Sequence, residues 1–280
     1  MEQFGTIKKK FEKIGARLKI RFAYTEKRFK RVDGFQLDVG RDRKGEFFDL
    51  LIGEGDTRFD VTDVRSDDRH LILMADIFSP EVKTSDNDYD RVKFLCGHDE
   101  RHLFIAGVPE HVSDVYNAMQ SLKPAEVLVS QGQNHVIPKL RNRRRNKGFV
   151  RQGEWYFVPT PELDTKDGPI YRNEPINRGL GKSHWVQYLY RKGGVTVHVC
   201  AQYPAGLKPS EYDKLIREDP EAKKYNWRMM QREAEAYGMG HVSHPDHKTI
   251  YLNGWHRILM NKEVVNETGS GVQSVMVFLD

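Results

Sequence analysis

The chain has 280 residues, 38% of them hydrophobic and 30% charged, with a formal net charge of +5. That length can bury one large core or two ordinary ones, and apolar periodicity along most of it excludes a wholly disordered chain. No apolar run approaches the ~20 residues that span a bilayer, and Lys8, Lys9 and Lys10 stand where a signal-peptide core would begin.

Phe4, Ile7, Phe11 and Ile14 recur at helical spacing with lysines on the other face, and Gly15 is placed to end that helix. From Arg17 the period becomes two: Leu18, Ile20 and Phe22 alternate with Lys19 and Arg21, a strand with a basic face. A β-rich stretch continues to about residue 108. One hairpin over 59–74 turns at Ser66-Asp67-Asp68, and another over 92–108 turns at Gly97–Arg101. Helical signals follow. Ser113 is a candidate N-cap, Pro124 begins a second helix, and Pro138 suits the first turn of a helix over 138–147.

After Gly148 strand patterns return at 154–158, 184–190, 195–201, 240–244, 249–252 and 275–279. A helical insertion is expected over 209–237, with Trp227 and Met230 packing, and a long loop over 159–177. This order predicts an α+β fold with two β-rich lobes. Residues 1–110 form an N-terminal lobe of meander and hairpins. Residues 151–280 form a C-terminal antiparallel sheet or barrel, and a helical, strongly basic connector (111–150) joins the two.

The charges are segregated. Residues 139–151 carry Lys139, Arg141, Arg143, Arg144, Arg145, Lys147 and Arg151 with no acid, and residues 8–31 carry eleven Lys or Arg against Glu12 and Glu26. These stretches sum to +16, so the remainder of a +5 chain sums to −11. Such a directional field favours a polyanionic partner. Arginine forks suit phosphates, and Arg178 and Lys182, in a glycine-rich turn, are secondary candidates. Gly179-Leu-Gly181-Lys182-Ser183 lacks the first glycine of a phosphate-binding P-loop and leads into a strand, not a helix. Trp155, Tyr156 and Phe157 offer rings for unpaired bases, although their alternation in a strand favours core packing.

His241, His244 and His247 lie around a Pro245-Asp246 turn. Imidazoles converging from a hairpin fit acid–base cleavage of a phosphodiester or a metal site such as zinc, although no standard ligand spacing is present. His198 with Cys200, and Cys96 with His98 and His102, are weaker metal candidates. Two cysteines predict a reducing, cytoplasmic setting, with a single Cys96–Cys200 bridge as the open alternative.

The leading functional expectation is nucleic-acid binding, RNA slightly ahead of DNA, through Lys139, Arg141, Arg143, Arg144, Arg145, Lys147, Arg151, Arg178 and Lys182. The alternatives are a histidine-dependent phosphodiester hydrolase built on His241, His244 and His247, with or without a metal, and a scaffold docking on an acidic protein or a second copy of the chain.

Overall fold

Helix α1 (Glu2–Lys13) buries Ile7 and Phe11, with Ile14 just beyond it, and stops where Gly15 takes the left-handed conformation (φ 73°), as its sequence predicts. The computed structural model describes residues 2–23, 34–78, 89–177 and 182–262. Strand β1 (Leu18–Phe22) runs parallel to β3 (Gly45–Ile52), which pairs antiparallel with β2 (Phe35–Asp42). Strands β4 (Asp56–Arg65), β5 (His70–Phe78), β6 (Tyr89–Asp99) and β7 (His102–Val108) form a four-stranded antiparallel meander, with both expected hairpins in place.

This meander is covered on both faces. Phe11, Phe48, Phe59, Phe94, Leu71 and Leu73 meet in one core. Ile72, Leu95, Phe104 and Val108 turn the other way, onto helix α2 (Val115–Ser121). Asp114, not Ser113, caps α2 by accepting from Asn117 N at 2.9 Å. Helix α3 (Ala125–Gln133) follows Pro124 and packs Val127 on Phe149 and Tyr156.

The basic helix expected over 138–147 does not form. Helix α4 is only Pro138–Arg141, and the chain then turns, with Asn146 N donating to Phe149 O at 3.0 Å and Arg145 bridging Val150. Leu140 is the one apolar side chain from Lys139 to Lys147, so a longer helix would have no face to bury.

The C-terminal half is an open six-stranded antiparallel sheet, not a closed barrel, in the order β10 (Ile170–Ile176), β11 (His184–Lys192), β14 (Glu235–Ser243), β15 (Ile250–Met260), β9 (Trp155–Pro159), β8 (Val150–Gln152). The segment 159–177, expected to be a loop throughout, supplies edge strand β10. The helical insertion is shorter than expected: α5 (Pro209–Glu218) and a 3₁₀ turn (Pro220–Lys224) sit between β12 (Val195–Val199) and β13 (Arg228–Arg232), which pair with each other. Trp227 packs there against Tyr203 and Tyr212, but Met230 is exposed on β13. The strand expected over 275–279 lies outside the described residues.

The overall class is therefore α+β and β-rich. Cys96 and Cys200 are buried free thiols. Among the described residues no helix is long and apolar enough to cross a membrane.

Candidate functional site

The strand register builds the site. Trp185 on β11 pairs with Ser243 on β14, so His184, one residue earlier, faces the position just past the end of β14, where His244 stands. Because side chains alternate, His184 and His244 point into the junction while Trp185 and Ser243 point out. Pro245-Asp246 then turns the chain and returns His247 to the same place. Lys182 Nζ donates to Asp246 Oδ2 at 2.5 Å, and Asp246 N donates to His244 Nδ1 at 3.2 Å. The hydrogen bond from Lys182, and then its charge, hold the Asp246 carboxyl below its ordinary value.

The three rings pack together. His184 stacks on His244 with centroids 4.2 Å apart and on His247 at 5.5 Å, and His244 and His247 are 4.7 Å apart. One nitrogen from each lies within 4.8 Å of the others. His184 is fully buried and the His247 side chain only 4% exposed. Glu100, from the β6–β7 turn, places Oε2 3.3 Å from His247 Nδ1 and accepts from Lys248 N at 3.0 Å.

The sequence therefore identified two of the three imidazoles. His241 is not with them: it lies on the opposite, exposed face of β14, its ring 5.0 Å from Tyr251. His184 was missed because its partners come from a strand some sixty residues away. The signal available was a histidine in phase with the buried Val186.

Beside the imidazoles a cavity of about 50 Å³ is lined by Asp99, Leu122, Arg151, Gly153, Tyr156 and His247. That is room for a few water molecules, well short of the several hundred Å³ that an organic ligand needs. Arg151 donates to Asp99 at 2.6 Å, and Arg144 reaches both Asp99 and Glu100. Burial alone would raise the Asp99 carboxyl, but Arg151 and Arg144 outweigh it and the net shift is downward. Burial raises the Tyr156 phenol.

This accounts for several of the expected phosphate contacts. Arg144 and Arg151 tie the two halves together, Lys182 is paired to Asp246, and Arg141 turns its Nε back to Val136 O at 3.0 Å. Lys139, Arg143, Arg145 and Lys147 stay exposed. Arg178 and residues 24–31 of the N-terminal basic stretch lie outside the described residues. Within the described part of that stretch, Arg17 and Lys19 pair with Asp42, and Arg21 with Asp49. Of the suggested stacking rings, Phe157 and Tyr156 are core, and Trp155 is partly buried against it.

Other rings take the outer face of the six-stranded sheet. Trp185 (47% exposed) and Tyr251 (54% exposed) flank His241 and Ser243, two residues apart along β14. Arg145 Nη2 donates to the backbone carbonyl of Tyr251 at 3.1 Å, which brings the exposed end of the basic turn against β15 next to the Tyr251 ring. Gly240, at φ 85° between two register shifts, makes room for Gln187, whose Oε1 accepts from His241 N at 3.0 Å. His98 and His102 have separate partners, Arg69 and Glu46, and His198 stacks on Tyr212; among the described residues neither weaker metal candidate gathers three ligand side chains.

No family model, curated protein or solved structure matches this chain.

Proposed function

We propose that this protein binds single-stranded nucleic acid, RNA ahead of DNA, on the outer face of its C-terminal sheet. The observation that carries the reading is two half-exposed rings, Trp185 and Tyr251, on one sheet face beside Arg145. Flat rings stack any base, and arginine and lysine follow the phosphates, so affinity and sequence tolerance arise together. Arg143, Arg145, Lys147 and Lys139 supply the charge in this account; Arg144 and Arg151 do not. The two buried free thiols support a cytoplasmic setting.

The hydrolase reading draws less from the geometry. Its three histidines are split between two faces, and the two that converge are buried beside a cavity too small for a nucleotide.

Fluorescence anisotropy with a labelled oligouridylate tests the proposal. Replacing both Trp185 and Tyr251 by alanine should weaken binding at least tenfold, given about 1–3 kcal/mol per stacked base. Replacing Arg143, Arg145 and Lys147 by serine should flatten the log–log salt slope by about 2, at about 0.7 per lost contact. Wild-type protein that ignores the oligonucleotide at low salt, or binding indifferent to loss of both rings, would refute it.

A further inference from the structure

The buried imidazole cluster takes no part in that reading and has a chemistry of its own. We infer that His184, His244 and His247 hold one divalent transition-metal ion, zinc by donor preference, at the junction of the two halves, with Glu100 orienting His247.

Four observations support this site. One nitrogen from each of the three histidines falls within 4.8 Å of the others. Two nitrogens on a tetrahedral zinc with bonds near 2.05 Å are about 3.4 Å apart, so small side-chain rotations close the set. Three imidazoles are the ligand type that zinc, copper and nickel share.

Second, the backbone leaves space where two of these nitrogens point. Gly153 sits at φ 56°, and a Cβ there would come within 2.9 Å of His247 Nε2 and 3.3 Å of His184 Nε2. A methyl group would fill the position an ion needs. Third, the carboxylate of Glu100 lies 3.3 Å from His247 Nδ1. This carboxylate–histidine arrangement fixes the ring and its tautomer, leaving Nε2 as the ligand atom. Glu100 comes from the N-terminal half and is itself held by Arg144 and Lys248 N.

Fourth, polar atoms and space lie next to the cluster, although Leu95, Leu103, Phe104 and Met119 make much of the cavity wall apolar. Gln152 Oε1 and Trp155 Nε1 are buried without a hydrogen-bond partner among the described residues. The adjacent cavity of about 50 Å³ leaves room for a water-sized fourth ligand.

Packing alone explains the cluster less well. Stacking alone gives no reason for three imidazole nitrogens to converge beside the open position at Gly153. A shared metal ion uses all three in their neutral form. His244 adjusts most, because its Nδ1 accepts from Asp246 N at 3.2 Å; ligation through Nε2 requires that bond to be given up. His184 and His247 are therefore the primary ligands.

The near-complete burial of His184 and His247 gives the ion a stabilising role at this junction, with a water completing its three protein ligands. It joins the ends of β11 and β14 to the β6–β7 turn through Glu100. Metal affinity should fall as pH drops below the imidazole range, because ligation needs the neutral ring.

The test uses the full chain. Elemental analysis after gel filtration should find close to one zinc per chain, and cobalt(II) added to the chelator-stripped protein should give the strong visible absorption of a four-coordinate site. His247→Gln and His184→Gln should each lower zinc affinity at least 100-fold, and Glu100→Gln about tenfold or more. Chelation should lower the Tm of the wild type and leave that of His247→Gln unchanged. Should His184→Gln misfold by circular dichroism, His247→Gln and the wild-type cobalt spectrum still decide the matter. Zinc binding weaker than micromolar, or undiminished in folded His247→Gln, would overturn the site. Nucleic-acid binding is read separately, since Trp185 and Tyr251 touch none of these readouts.

Discussion

At the scale of single residues, neighbours decide what an ionisable group does. His98 lies on β6 with Nε2 3.0 Å from Arg69 Nη2. Burial, then the charges of Arg69 and His70, push its imidazolium down to about 4 from an ordinary value near 6.5. The unfolded chain takes up a proton in that interval and the folded chain refuses it. Stability is therefore complete above about pH 6.5 and is lost as pH falls toward 4. A thermal-denaturation series from pH 7 to pH 5 should show a falling Tm. His98→Gln, which keeps an acceptor for Arg69, should make that fall shallower, and parallel curves for the two proteins would contradict this assignment. Gln187 and Gly240 show the same dependence in another form: the glycine has no meaning until the glutamine occupies its space.

Among the elements, β5 is the most constrained. Leu71 and Leu73 enter one core and Ile72 the other, all three fully buried. Truncating Ile72 opens a void under α2 that rigid neighbours close only in part. Ile72→Ala should destabilise the fold by about 2–5 kcal/mol and Ile72→Val by about 0.5–1.5 kcal/mol. Urea unfolding would register both as shifts in midpoint; equal shifts for the two would argue against cavity formation. The element between the halves behaves differently, because 138–147 has charge without an apolar face. Its backbone turns, and its arginines divide between inward ion pairs and outward exposure.

For the molecule as a whole, the central clamp is Asp99 with Arg144 and Arg151. It sits where β6 and β8 come together and where the imidazole cluster and the cavity meet. Removing one partner of a largely buried pair leaves the other charge unpaired. Asp99→Asn should cost about 3–5 kcal/mol on that basis, and less to the extent that water reaches the two arginines. The loss should appear in chemical denaturation at neutral pH. Separate unfolding of the two halves in Asp99→Asn, in place of one transition, would show that this clamp couples them.

Local pattern alone was enough for several features: α1 and its glycine stop, both N-terminal hairpins, the strands around Trp155 and His184, and the β-rich α+β class. Each of these follows from periodicity and turn chemistry within about twenty residues. The segregated charge was also legible, and so was the convergence of His244 and His247 across a four-residue turn. Two decisions belonged to the tertiary structure. Strand register between β11 and β14 recruited His184, excluded His241 and put Trp185 on the same sheet face as the exposed Tyr251. The packing of the β6–β7 turn on the C-terminal half turned Arg144 and Arg151 from expected phosphate contacts into interior partners of Asp99. Both depend on residues far apart in the chain, and composition and spacing carry no record of which acid or which strand a side chain will meet.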